Sequence, residues 1–284
     1  MDEYDFALEA FKLSRGISKD RDVAKELQEL KPVLGQMRQM YSEGAKYVRV
    51  DYSNKVADAY LLAYVPTYIR QTYETLLKVG ELNRELKKVG IFCCGPCPEV
   101  IGILRYLLHQ NSGSQSIEFY LFDINHTGWR DVRESLLRVG QSIFSQKDLN
   151  FHINLQDLDL LDRKRATGHE TIIKNLDIAI FQNFDNEINQ KEKSSWLWDI
   201  TDMVGLLPSG ARLVLSDLYY SQKFHKELGP LLEDSFLIRD GGFTLRAPKL
   251  KNNLLRTNLL IGDYALGLTE KGSQRTNYLI GQRL

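Results

Sequence analysis

Through the first part of the chain, apolar side chains recur at three- and four-residue steps. Val23, Leu27, Leu30 and Leu34 form one stripe, and Val56, Tyr60, Leu61, Tyr64, Tyr68, Tyr73, Leu76 and Leu77 form another. This period predicts helices over residues 1–88, with no strand-type alternation competing. Pro66 falls inside the second run, where its missing N–H should kink or divide the helix. Beyond Gly90 the texture changes. Ile91–Cys94, Ile117–Phe122, Phe151–Leu155, Leu176–Phe181 and Ala211–Leu215 are short and mostly apolar on successive residues, as strands buried on both faces are. Helical stripes separate them: Val100, Ile103, Leu104 and Leu107, then Val132, Leu136, Val139 and Ile143. Pro98 suits a first helical turn and Thr127 a cap. Such alternation implies right-handed βαβ units and a parallel sheet covered on both faces. Near the end, Thr257–Ile261 and Tyr278–Gln282 are strand-like and joined through glycine-containing turns, which predicts an antiparallel pair at the sheet edge. The expected division is a helical extension or lid, 1–88, and an α/β domain, 89–284, with the seam near Gly80–Gly90.

Charge narrows the functions this fold could carry. Lys+Arg and Asp+Glu both number 37, so the formal net charge is zero and no global field gathers polyanions. No apolar run approaches the ~18 residues of a membrane span, and the acidic start MDEYDF is unlike a signal peptide. The expectation is a cytoplasmic protein without a membrane partner. All 3 cysteines, Cys93, Cys94 and Cys97, sit together, an odd cluster that excludes a secreted disulfide framework and fits a reducing compartment.

In open α/β sheets, ligands bind beyond the carboxyl ends of the strands. The first such end is Cys93-Cys94-Gly95-Pro96-Cys97-Pro98-Glu99, a tight turn running into a helix. Its backbone N–H groups and the positive helix end can meet a nucleotide-like ligand. Asp123 closes the second strand, where an acid can accept both hydroxyls of a ribose. Asp157 and Leu158 close the third, beside Asp159, where a carboxylate next to an apolar residue could meet an adenine edge. Gln182, Asn183 and the polar run to Glu187 follow the fourth, and Asp217 ends the fifth.

This series resembles the class I S-adenosylmethionine (SAM)-dependent methyltransferases over roughly residues 88–284. The first turn looks like a variant of the family's Gly-Cys-Gly-Pro-Gly-Pro-Glu form, with Ile91 at the usual acidic position and Cys93 and Cys97 in place of two glycines. A cysteine carries a Cβ, so left-handed backbone angles cost more there. Leu207-Pro208-Ser209-Gly210 before Leu213-Val214-Leu215 is similar to the family's turn before its fifth strand. The resemblance implies a Rossmann-like, doubly wound, mostly parallel seven-stranded sheet with an antiparallel edge pair, and SAM as cofactor. It implies cofactor contacts at Cys93, Cys94, Gly95, Asp123, Asp157, Leu158 and Gln182, and substrate contacts at Asn183, Tyr60 and Tyr64. Glu187 and Asp217 are the candidates for a general base. A smaller likeness, Ala59 to Tyr68, is to the methyltransferase-like proteins associated with the mitochondrial small ribosomal subunit. The expected activity is methyl transfer to a small molecule, with RNA or the ribosome as the next candidate.

Rival readings remain open at this stage. The degenerate glycines suit a non-catalytic binding or assembly protein on the same fold. Cys94-Gly95-Pro96-Cys97 also spells a thioredoxin active-site tetrapeptide, although no proline lies between Pro98 and Pro208 to serve as that family's cis-proline. No fourth ligand accompanies the thiols, so no metal is expected. His126 reads as a surface loop histidine, Trp129 as an adenine cover or a helix start, and Trp196 and Trp198 as packing residues. Arg163-Lys164-Arg165 reads as a solvated loop. The tyrosines Tyr60, Tyr64 and Tyr68 suit interdomain packing as well as a substrate contact. Oligomeric state is not legible.

Overall fold

A computed structural model describes residues 1–42, 55–80, 86–110, 115–160, 167–183, 200–218, 222–246 and 273–284. The helical stripes become α1 (Glu3–Ser14), α2 (Asp20–Ser42), α3 (Lys55–Ala63) and α4 (Val65–Val79). Asp2 starts α1 with a capping box: its side chain accepts from the N–H groups of Tyr4 and Asp5, and the Asp5 carboxylate accepts from the Asp2 N–H. Pro66 does divide the second stripe: α3 ends at Ala63, and the proline occupies the first turn of α4, where no N–H is needed.

The sheet strands are β1 (Lys88–Phe92), β2 (Gln115–Asp123), β3 (Leu149–Asp157), β4 (Ile178–Gln182), β5 (Arg212–Leu218), β6 (Phe236–Arg246) and β7 (Ser273–Arg283). Their order is β3-β2-β1-β4-β5-β7-β6. Strands β1 to β5 pair in parallel, and β7 runs antiparallel between β5 and β6. This is the mostly parallel, Rossmann-like seven-stranded sheet that the sequence implied. The expected partner of Tyr278–Gln282 was Thr257–Ile261, which lies outside the described residues; the strand actually paired with β7 is β6. Its segment, with Arg239, Asp240, Gly241 and Gly242 in mid-strand, has polar and glycine positions that hide the strand pattern. At the other end, β1 stops at Phe92, so Cys93 and Cys94 belong to the turn.

Two helices flank the turn that follows β1 and the end of β2. One is α5 (Pro98–His109) and the other α6 (Arg130–Phe144). Thr127 does not cap α6: the cap position is Trp129, and no side chain bonds there. Side chains of β1 alternate between faces, Val89 and Ile91 toward the N-terminal helices and Phe92 toward the opposite cluster. Phe122, Phe92 and Phe181 stack in register across β2, β1 and β4, centroids 4.4 and 4.5 Å apart, directly below the carboxyl edge. The helices of residues 1–79 share one continuous apolar core with α5, α6 and one sheet face. Glu3 of α1 pairs with Arg105 of α5, Arg15 pairs with buried Asp58 of α3, and the rings of Phe6 and Phe144 stack at 5.8 Å.

Candidate ligand site at the carboxyl edge

The parallel register aligns the predicted residues. Asp123 lies opposite Asp157, and Gln182 opposite Ser216, with the turn after β1 between them. Cys94 donates its N–H to Phe122 O at 3.3 Å, and Cys97 closes a β-turn by donating to Cys94 O at 2.7 Å. Three residues of this turn have left-handed backbones: Cys93 (φ 54°), Gly95 (φ 48°) and Cys97 (φ 64°). Cys93 and Cys97 thus adopt, with a Cβ, the conformation the family resemblance gives to glycine. Such residues persist only where the surroundings hold them, and they concentrate at functional sites.

Asp123 holds the turn to β2. Its Oδ2 accepts the Gly95 N–H at 2.8 Å, and its Oδ1 accepts the Asn125 N–H at 2.7 Å. The main chain follows suit, with Leu158 donating to Asp123 O at 3.2 Å. Each carboxylate oxygen has a second lone pair, so these bonds leave capacity for two hydroxyl donors. Leu158 itself is buried. The side chain of Asp157, by contrast, is 88 % exposed, with His126 Nε2 at 3.9 Å.

His126 is not the surface histidine expected, since its side chain is only 12 % exposed. Arg133 NH1 lies 3.0 Å from Nδ1, and Gln156 O lies 2.9 Å from Nε2. A guanidinium has no lone pair to offer, so this pairing assigns the proton to Nε2, which donates to Gln156 O. Asn125 bonds the Gly128 N–H through Oδ1 at 3.1 Å and shapes the loop before α6. Between Asp123 and Asn125, Ile124 is 51 % exposed, an apolar side chain in water at the site rim. Trp129 lies against Gly95, where a Cβ would stand 3.5 Å from the indole, and its ring meets Tyr60 edge-on at 5.1 Å. Trp129 thus marks the helix start, and its ring lies between Gly95 and Tyr60.

The tyrosine stripe is mutual packing. Ring centroids of Tyr60, Tyr64 and Tyr68 stand 5.0, 6.1 and 6.1 Å apart, too close to admit an ammonium among them. Tyr60 is buried, while Tyr64 and Tyr68 are half-buried.

Beyond β4 and β5 a buried polar network ties the strand ends to α4. Gln182 Oε1 accepts from Thr72 at 2.8 Å and from Ser216 at 3.2 Å, and its Nε2 donates to Tyr68 O at 3.1 Å. Asn183 (φ 54°) exchanges two 3.1 Å bonds with Gln71, whose Nε2 also donates to Ser216 at 3.3 Å. Asp217 is fully buried, one residue beyond Ser216. Glu187, Trp196, Trp198 and Arg163-Lys164-Arg165 lie outside the described residues.

Three residues escaped the sequence reading. Gln71 and Thr72 interrupt the apolar face of α4, and a polar pair on a buried helical face was the available signal. Glu99 stands in the first turn of α5, where an acid is ordinarily read as a partner of the helix dipole. It is only 3 % exposed, and Oε2 has no hydrogen-bond partner among the described residues. Burial first of all pushes its carboxyl up to about 8; its own N–H opposes this and the nearby charge of Asp123 adds to it.

The thiols behave differently from a redox pair. Cys94 and Cys97 are buried and free. Burial pushes the Cys94 thiol well above the ordinary range, and the contact with Cys97 adds to that. A redox nucleophile needs the opposite shift. Cys97 Sγ stays within the turn, donating to Gly95 O at 3.6 Å.

These residues fit an adenosyl ligand on two counts. Asp123 keeps free lone pairs at the strand end, and Ile124 offers an apolar rim. No family model and no curated protein matches the chain. Similar solved structures include a protein described as a predicted O-methyltransferase from Agrobacterium tumefaciens, with 11% identity, TM-score 0.44, and coverage of 74% of this chain and 79% of that one. Another is the methyltransferase domain of bacterial CtHen1, at 12% identity, TM-score 0.43, and coverage of 75% and 99%. A third is geranyl diphosphate C-methyltransferase from Streptomyces coelicolor in complex with S-adenosyl-L-homocysteine, at 10% identity, TM-score 0.38, and coverage of 81% and 80%. The fold is assigned on the sheet order itself and not on these likenesses.

Proposed function

We propose that the protein is a SAM-dependent methyltransferase acting on a small molecule. The observation that carries this reading is the bond from the Gly95 N–H to Asp123 at the carboxyl edge of a β3-β2-β1-β4-β5-β7-β6 sheet. It joins the turn after the first strand to the acid after the second, at the switch point of an open sheet, where nucleosides bind.

The backbone of Cys93–Cys97 and the start of α5 would hold the amino-acid end of the cofactor, Asp123 its ribose, and Ile124 with Leu158 its adenine. The bound sulfonium supplies an activated methyl group. The chain's own task is then positioning, which can contribute much of a rate enhancement without a strong acid or base. Gln182 and Asn183, braced by α4, border the space beyond β4 where an acceptor would stand, with half-buried Tyr64 and Tyr68 on the helical side. Where the acceptor needs a base, Asp217 and Glu187 are the candidates. A formal charge of zero provides no attraction for a polyanion, which favours a small molecule over RNA or the ribosome.

The second reading is a non-catalytic binding or assembly protein. It draws on the contact of Trp129 and Tyr60 over Gly95 and on the left-handed cysteines, which narrow the turn. Calorimetric titration with S-adenosylhomocysteine separates the two. The methyltransferase reading expects measurable binding and a thermal shift, and Asp123→Ala weakening affinity by about tenfold or more. Absence of both heat and shift would leave the assembly reading standing.

A further inference from the structure

We propose that Arg70 is the receptor for the carboxylate or phosphate group of a small molecule bound beyond β4, which makes the methyl acceptor an anion. The inference rests on the acceptor space assigned above and adds the chemical class of its occupant. Arg70 is half-buried in the middle of α4, and its Nη1 is sealed from solvent with no hydrogen-bond partner among the described residues. A guanidinium stays charged, carries five N–H groups and has no lone pair of its own. A buried N–H of a charged group left unmatched is costly and calls for an explanation.

The helix puts this side chain beside the acceptor space. The early turns of α4 stand at the carboxyl edge, where Tyr68 O receives the Gln182 amide and Gln71 pairs with Asn183. Helical side chains lean toward the N-terminus of their helix, so the Arg70 guanidinium is carried toward that edge. Around the helix, Ile69 and Thr72 face Gly102 of α5, and Gln71 faces Asn183 and Ser216. Arg70 stands about 100° from each of its chain neighbours, and so flanks the Gln71–Asn183 pair on the side remote from α5.

Charge at this place is unbalanced. The network that Arg70 adjoins, Gln71, Thr72, Gln182, Asn183 and Ser216, is neutral throughout. Asp217 follows Ser216 along β5 and therefore leaves by the opposite face of the sheet. Glu74 is one turn further along α4, and a carboxylate on the C-terminal side of its cation is in the weaker order for a helical pair. No ion pair joins Arg70 to any acid among the described residues. A carboxylate or phosphate brings two oxygens that match the guanidinium fork together with the missing negative charge, and a neutral acceptor brings neither. Half-buried Tyr64 and Tyr68 border the same space, so an aromatic anion is the fitting probe.

The test follows the thermal midpoint in titrations with benzoate, phenyl phosphate and neutral benzamide at constant ionic strength. The wild type should bind one of the two anions about tenfold or more tightly than benzamide, and the anion preferred tells a carboxylate acceptor from a phosphate. Arg70→Gln should lose that preference, whereas Arg138→Gln, at an exposed position of α6, should retain it. Removing an unmatched buried charge should leave the unliganded midpoint of Arg70→Gln unchanged or higher. A wild type without preference for either anion, a null response included, overturns the proposal with no variant needed. So does an undiminished preference in Arg70→Gln. A parallel titration with S-adenosylhomocysteine keeps the two readings apart. If that nucleoside binds and neither anion does, only the Arg70 assignment fails; if an anion binds through Arg70 and the nucleoside does not, the anion site stands and methyl transfer falls.

Discussion

Glu99 shows at a single residue how position overrides an intrinsic property. An acid in the first turn of a helix is normally stabilised as an anion, yet desolvation dominates here and the carboxyl stays protonated up to about pH 8. The folded state therefore binds a proton that the unfolded state releases near 4.5. This group's contribution to stability is complete at low pH and is lost as pH rises from about 4.5 to about 8, by at most ~1.4 kcal/mol per pH unit. Glu99→Gln should remove that slope, so denaturation midpoints of the two proteins should diverge with pH across this window; parallel curves would mean that Glu99 ionises normally. The chemistry of Asp123 was readable from its place after the second strand. Its hold on the Gly95 N–H was not, because that bond joins residues 28 positions apart. A separation of 30 positions likewise concealed the environment of His126, whose partner Gln156 arrives from β3.

Between elements, α4 packs tightly on α5. A Cβ on Gly102 would lie 2.6 Å from Thr72 Cβ and 2.7 Å from Ile69 O, and a backbone oxygen inside a helix cannot step aside. Alanine in a helix gains roughly 0.5–1 kcal/mol over glycine, whereas overpacking costs about 1–3. Overpacking wins, so Gly102→Ala should destabilise the protein. Gly35→Ala, at an exposed position of α2 with nothing within 4 Å, should stabilise it by about 0.5–1 kcal/mol. Chemical denaturation of both variants checks the pair, and the same sign for the two would refute the packing argument. The Thr72–Gln182 bond fastens the same helix to β4. Thr72→Val leaves Gln182 short of a donor in a buried place and should cost about 1–3 kcal/mol. A double-mutant cycle with Gln182→Met should return a coupling of roughly 0.5–3 kcal/mol, and strict additivity would show the bond to be idle. Helix α4 was legible from its 3.6-residue period, including its division at Pro66. Strand β6 was not legible, because its polar and glycine positions gain a strand conformation only by pairing with β7.

Across the whole molecule, the helices of residues 1–79 do not possess a core of their own. Phe6, Leu27, Leu61 and Ile69 belong to the same apolar cluster as Ile101, Leu136 and Ile180. The protein should therefore unfold in one calorimetric transition, whereas two resolved transitions would show a separable lid. No helix among the described residues is long and apolar enough to cross a membrane. What the sequence alone determined were the quantities that depend on near neighbours: helical and strand periods, the turn after β1, the break at Pro66, and hence the α/β class. Tertiary structure alone decided which distant residues share a surface. It brought β6 beside β7, turned Asp157 to solvent, enclosed His126, and left Glu99 buried with an oxygen unpaired. The physical reason is that periodicity records how a residue faces its own element, while burial and hydrogen bonding depend on what arrives from elsewhere in the chain.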